Sequence, residues 1–337
     1  MMKVFIIGGT NFMGPHVVNI LNERGHEVLV FHRGNHNIDL KNGVEELLGN
    51  REELEKYREQ IKAFNPDVVL DMICMFERNV EQLEKALEGI VKRLVLISSA
   101  DVYRAFEVIN KVTEGPIQPM PLKEDSELRT QRYPFKGKMD NDFANEYDKI
   151  PVEEKAMGSD KFDTTILRLP MVYGANDPNR RFMSYIHRMN DNRPHLVLDE
   201  RLANARYSMS FSKNVAHAIV MAIENQDMAG HTLNISDNDT VPVLEWVKRI
   251  AKLMEWDGNI VVAKPGEFQD EIGMNTDQDL VIDSSLIREQ FNYKEVILLN
   301  EGLRETIVSE LNHPPEEDLA KMFDYEKEDE VVALSKK

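Results

Sequence analysis

Gly8, Gly9 and Gly14 stand between an apolar, β-branched run, Val4 to Ile7, and apolar residues at helical spacing, Val17, Val18 and Leu21. The order strand, tight turn, helix suits one chemistry above others: glycines let the backbone approach a pyrophosphate, which then rests on the unpaired amides and positive dipole end of the new helix. Gly8, Gly9, Thr10, Asn11, Phe12, Met13 and Gly14 are therefore candidate cofactor-binding residues. A second strand, Glu27 to Phe31, ends at His32-Arg33-Gly34, where the adenosine ribose of a bound dinucleotide would lie. A carboxylate there grips a 2′-hydroxyl, whereas an arginine accommodates a 2′-phosphate. His32 and Arg33 offer no carboxylate, which favours NADP over NAD; the bland alternative is a solvated surface arginine.

Such a loop needs a parallel sheet to hold it. Val44 to Leu48 reads as a short strand, followed by a helix carrying Leu54, Tyr57, Ile61 and Phe64. Asp67 to Cys74 is a continuous apolar run suited to a central strand buried on both faces. A helix from Asn79 to Val91, a strand from Arg93 to Ser98 and another from Thr164 to Leu169 complete an α/β alternation that implies a doubly wound parallel sheet. Residues 1–174 form the dinucleotide-binding domain, to which 204–235 return through a helix from Asn214 and a strand from Thr232. Residues 175–312, with an amphipathic helix from Val243 to Met254, form a smaller substrate lobe. Arg104 to Glu146, long and proline-containing, reads as a lid, and the acidic tail from 313 to 337 as a solvated or partner-docking extension.

Composition narrows the classes. A chain of 337 residues, 42% hydrophobic and 30% charged, is ordinary for a globular protein. The single cysteine, Cys74, lies in an apolar run and can form no internal disulfide, and no membrane-length apolar segment is visible, so a reducing cytoplasm is expected. The net charge of −18 disfavours a general nucleic-acid surface. Seventeen methionines are scattered as core filler, and no zinc-type Cys/His spacing, Walker motif or GxSxG elbow is present, so no metal is expected.

The glycine spacing resembles the TGxxGxxG signature of the extended short-chain dehydrogenase/reductases, the family of the nucleotide-sugar epimerases and dehydratases. Ile7 replaces the Thr and Asn11 the middle Gly; Asn tolerates a left-handed backbone, so the turn is expected to survive. Ile97 to Tyr103 is similar to the family's SSxxVYG segment, which implies that Ser99 hydrogen-bonds the reacting oxygen of the substrate. The Asp-Glu pair that follows this hydroxyl in dehydratases reads Ala100-Asp101 here, which argues against 4,6-dehydratase chemistry. Arg168-Leu169-Pro170-Met171-Val172-Tyr173-Gly174 is similar to RPxxVYG and implies that Pro170 and Val172 close over the nicotinamide. Asn50 stands at the adenine-contacting Asp, Met72 narrows the cofactor site, and Arg206, in a segment resembling RxxFIHVxDxA, would bind a substrate diphosphate with Arg181 nearby. Through Asp283, Ser284, Phe291, Gly302 and Leu303 the resemblance extends from residue 3 to about 310.

The largest departure is at the family's YxxxK pair, where the Tyr is the general acid/base and the Lys one turn later lowers its pKa and holds the nicotinamide ribose. Here the sequence is Tyr147-Asp148-Lys149-Ile150-Pro151. Lys149, two residues on, lies about 200° round an ideal helix and cannot share a face with Tyr147. Pro151 places the helix start near itself, leaving Tyr147 and Lys149 in irregular backbone from which Lys149 would approach the ribose. The resemblance implies a Rossmann fold and an NAD(P)-dependent epimerase/dehydratase-like enzyme with a degenerate YxxxK site. Its catalytic candidates are Ser99, Tyr147 and Lys149, and its substrate is a small or nucleotide-linked sugar. A homodimer built on two exposed helices is typical of such proteins. Two other classes stay open: a non-catalytic dinucleotide sensor or scaffold, and an RNA-binding protein, since the GGTxFxG variant also resembles the chloroplast stem-loop RNA-binding relatives.

Overall fold

Strand residues alternate between two apolar layers, and that alternation is what stacks helices on both faces of one sheet. The computed structural model describes residues 1–35, 43–138, 141–268, 273–315 and 323–335. In chain order its strands are β1 (Lys3–Ile7), β2 (Glu27–His32), β3 (Val44–Leu48), β4 (Val68–Asp71), β5 (Arg93–Ser99), β6 (Asp163–Leu169), β7 (Met171–Tyr173), β8 (His195–Asp199), β9 (Met209–Phe211), β10 (Thr232–Asn234) and β11 (Asn259–Ala263). Seven of them form a parallel sheet in the order β10-β6-β5-β4-β1-β2-β3. Within β1, Val4 and Ile6 pack with Val17 and Leu21 on one face, while Phe5 and Ile7 pack with Leu54 and Leu83 on the other. This is the doubly wound α/β architecture expected from the sequence. Its strand order reverses between β1 and β4, which opens a crevice at their carboxyl ends.

Several boundaries move for local reasons. β4 stops at Asp71 rather than running to Cys74, because the Asp71 carboxylate accepts a hydrogen bond from the Ile73 amide and turns the chain. The helix expected near Pro151 spans Lys149–Gly158: Asp148 caps it by accepting from the Ile150 amide at 3.0 Å, and Pro151 falls in its first turn. Tyr147 closes the short preceding helix, Asp142–Glu146, so it lies at the junction of two helices.

The smaller lobe carries the parallel pairs β8–β11 and β7–β9. Its core gathers Tyr173, Phe182, Phe211 and Trp246, with ring centres 5.3 to 5.5 Å apart. Part of the segment read as a lid is fixed in place. The Leu122 amide donates to the Val281 carbonyl at 2.7 Å, the Gln118 amide to Gln278 Oε1 at 2.6 Å, and the Arg129 amide to the Val102 carbonyl at 2.7 Å. The tail also differs from a solvated extension. Helix Tyr325–Ser335 lies along β8, burying Val331 and Val332 beside Val197 and Ala263. Two of its acids pair with arginines of the lobe, Glu328 with Arg188 and Asp329 with Arg193, so part of the negative charge that reads as solvating in the sequence is answered by the chain itself. Residues 316–322 of the tail lie outside the described set. Among the described residues no helix is long and apolar enough to cross a membrane.

Candidate active site

At the carboxyl end of β1 the backbone adopts conformations that side chains resist: φ is +96° at Gly8 and +83° at Gly9. Gly14 opens the helix Gly14–Glu23, and a Cβ on it would lie 2.5 Å from the Gly9 carbonyl carbon, so helix and strand end meet in direct backbone contact. No side chain caps that helix, and Pro15 sits in its first turn. The left-handed position is Phe12, at φ +52°, and not Asn11. Asn11 props the turn from outside, its Oδ1 accepting from the Phe12 amide at 2.8 Å. With Thr10 and Met13 completing the turn, this cradle fits a dinucleotide pyrophosphate: a left-handed glycine bend, a helix start free of side-chain caps, and no room for a Cβ at Gly14.

Beneath the cradle, Met72 and Ile73 form an apolar floor, with Ile73 Cγ2 3.3 Å from where a Gly8 Cβ would stand. Fully buried Asp71 meets the Arg51 guanidinium at 2.6 Å, an ion pair the sequence did not announce. Asn50 caps the turn that carries Arg51, its Oδ1 accepting from the Glu52 amide at 3.1 Å. That bond fixes the turn and leaves a second lone pair on Oδ1. His32 likewise holds its own strand end: the Gly34 amide donates to Nδ1, so Nε2 carries the proton that faces Glu46 at 3.2 Å. Arg33 is exposed beside it.

Two strands away, at the end of β5, lies a buried proton site. Ser99 caps the turn after β5 by accepting from the Asp101 amide at 3.1 Å, and its hydroxyl lies beside the Tyr147 phenol. The Tyr147 hydroxyl donates to Asp101 Oδ2 at 2.6 Å. Burial pushes the Asp101 carboxyl up from the usual carboxylate range, and burial together with Asp101 pushes Tyr147 well above the usual phenol value. Tyr147 therefore stays a protonated donor at neutral pH, with Asp101 as the group that can receive its proton. Lys149 does not face the crevice. Its Nζ is buried and donates to the carbonyls of Cys74 at 2.8 Å and Ile97 at 3.0 Å, tying the chain after β4 to β5, and burial lowers its pKa. Cys74 is inert in this setting, its thiol pushed up to about 12 by burial.

Two ion pairs position these groups. Arg129 and Asp148, both buried, pair at 2.7 Å while Arg129 Nε donates to the Asp101 carbonyl, so one guanidinium fixes both the Asp101 turn and the helix start after Tyr147. Arg168 grips Glu153 at 2.7 Å and donates to the Tyr103 hydroxyl at 3.0 Å, clamping helix Lys149–Gly158 onto β6. Phe135 and Phe143 pack on the Tyr147 ring at 5.5 and 5.2 Å. Asp101, Arg129 and Asp148 were missed as site residues. Asp101 had a signal, since it keeps a carboxylate at the second place of the dehydratase pair, whereas nothing in the sequence pairs residues 129 and 148.

Pro170 joins β6 to β7, and the buried Val172 is the middle residue of β7. Arg181 Nη1 donates to the Val172 carbonyl at 2.7 Å and meets Asp177 at 2.8 Å, so its charge is already answered. Arg206 is exposed and stands outside the cavity of about 410 Å³ that Arg181 helps to line. The structure thus brings Ser99 and Tyr147 together and turns Lys149 inward.

Known proteins share this plan. The chain is 24% identical over 282 residues to the chloroplast stem-loop binding protein of 41 kDa b of Arabidopsis thaliana, covering 79% of this chain and 67% of that protein. Over 123 residues it is 32% identical to 2′-dehydrokanamycin reductase of Streptomyces kanamyceticus, covering 36% of this chain and 34% of that one. Its fold matches the NAD complex of dTDP-glucose 4,6-dehydratase from Bacillus anthracis with a TM-score of 0.70 at 15% identity, covering 93% and 97% of the two chains. The model of the NAD dependent epimerase/dehydratase family matches residues 4–236, from β1 through the β10 edge of the sheet, and the chain belongs to that family.

Proposed function

We propose that the protein catalyses hydride transfer at an oxygen-bearing carbon of a small substrate, interconverting a secondary alcohol and a ketone as an epimerase or reductase does. The observation that carries this is the Tyr147 hydroxyl, 2.6 Å from a buried carboxylate and beside Ser99, at the same carboxyl edge of the sheet as the glycine cradle. The loop Gly8–Gly14 would hold the pyrophosphate, Pro170 and Val172 would border the nicotinamide, and the bound cofactor supplies the hydride chemistry. The chain's own work is on the proton. Ser99 Oγ and Tyr147 Oη hold the substrate oxygen; as the O–H bond breaks, its proton passes to Tyr147 Oη while the phenol proton passes to Asp101 Oδ2. The reverse transfer returns it.

Exposed Arg33, with no carboxylate from His32 to Asn35, supports NADP over NAD. Two of the relatives support the reacting group, since a dTDP-glucose dehydratase and a dehydrokanamycin reductase are both named for changes at oxygen-bearing carbons. A net charge of −18 supports a small molecule over a nucleic acid as partner, despite the relative named for stem-loop binding. The test is calorimetric titration with NADP and NAD, then turnover of wild type and Tyr147→Phe on a panel of carbinols and nucleotide sugars. Cofactor binding in both proteins with turnover only in wild type is expected. Binding without any turnover would favour a sensor, and failure of both dinucleotides to bind at millimolar concentration would end the proposal.

A further inference from the structure

A cavity of about 410 Å³ in the smaller lobe, linked to Tyr147 through packed rings, bears on what the substrate looks like. Its walls include Phe106, Met171, Phe182, Leu202 and Trp246, with Met274 at the solvent side, 37% exposed. Two contacts link it to the reacting centre, although Ser99 and Tyr147 do not themselves line it. Met171 directly follows Pro170, and the Phe106 ring lies 6.0 Å from Phe135, which in turn lies 5.5 Å from Tyr147. Among the lining residues the sole cation is Arg181, already paired with Asp177 and the Val172 carbonyl, and no acid is present. Trp246 keeps a buried indole N–H without a hydrogen-bond partner among the described residues.

We infer that the substrate is an uncharged carbinol or ketone whose bulk is apolar, an aromatic or alicyclic ring system seated in this cavity, and that it carries no diphosphate. A diphosphate placed there would leave water without a counter-charge, because the one guanidinium is neutralised and Arg206 stands outside. A ring system instead buries apolar area against the aromatic and methionine side chains of the walls. The cavity volume falls within the usual range for small-molecule sites.

This inference rests on the proposed hydride-transfer reading, and the experiment separates the two. With the enzyme saturated by NADP, 1-(2-naphthyl)ethanol and UDP-glucose are titrated by calorimetry at several temperatures. The naphthyl carbinol is expected to bind at least about tenfold more tightly than UDP-glucose, with the negative heat-capacity change of apolar burial. Leu202→Arg and the more exposed Met274→Arg should each weaken the carbinol about tenfold while the NADP affinity stays unchanged. Tighter binding of UDP-glucose, or carbinol binding indifferent to both variants, overturns the inference and leaves the cofactor reading standing. Failure of both NADP and NAD to bind the wild type overturns both.

Discussion

The glycine cradle and the proton site occupy the same edge of one sheet, yet they are built by opposite means. From Gly8 to Gly14 the backbone does the work: positive φ at Gly8 and Gly9 and a helix start pressed on Gly9 leave no space for a Cβ at Gly14. At Tyr147 the backbone is unremarkable, and side chains from separate segments converge instead, Ser99 and Asp101 from the end of β5, Arg129 from the pinned segment, and Asp148 from the helix cap. A site made of backbone tolerates no added atom. A site made of converging side chains tolerates shape changes but not the loss of a proton-bearing group.

Substitutions can break that contrast. Gly14→Ala should have the largest effect, because the new methyl meets Gly9 backbone at 2.5 Å and cannot turn away. A stability loss of about 3 kcal/mol by chemical denaturation is expected from overpacking. Dinucleotide affinity should fall about 100-fold by calorimetry. Tyr147→Phe should leave the dinucleotide affinity unchanged while lowering turnover about 10²- to 10⁴-fold.

Asp101→Asn sharpens the comparison further. In wild type the ionised carboxylate receives the Tyr147 proton, so kcat/KM should fall as pH drops through the raised Asp101 pKa, and the variant should lose that acid limb along with about tenfold or more in rate. Stability should move the other way. A carboxyl whose pKa is raised by burial keeps its proton in the folded state, so it favours the fold at low pH and costs stability as pH rises from the usual carboxylate value through the raised one. Denaturation midpoints across that window should fall in wild type and flatten in the variant. The smallest effect belongs to an exposed charge: Arg33→Ala should weaken NADP about fivefold and leave NAD unchanged, read as the ratio of the two dissociation constants.

What was readable in advance follows sequence separation. The cradle's parts lie within one turn of each other along the chain, and strand, turn and helix announce themselves by period and by glycine. Even so, the turn survives Asn11 by another means than the tolerance of Asn for a left-handed backbone: the positive φ falls on Phe12, and the Asn11 carboxamide serves as a prop. Sequence spacing ruled out a shared helical face for Tyr147 and Lys149, which fall on the two sides of a helix junction. It could not say where the lysine goes, since its acceptors Cys74 and Ile97 are 75 and 52 residues away. The tail was misread for the same reason: Val331 and Val332 are too few to announce a docking helix until Arg188 and Arg193 neutralise the acids around them.

The amino-acid sequence alone determined the doubly wound sheet, its crevice and the bend that opens it, because apolar periodicity and backbone permissiveness act between near neighbours. Only the tertiary structure decided that Asp101 receives the Tyr147 hydrogen bond, that Lys149 turns inward onto two carbonyls, and that the cavity lined by Phe182 and Trp246 is apolar. Those outcomes depend on which distant groups share a buried volume, and burial, by stripping away water, makes such groups govern one another's charge.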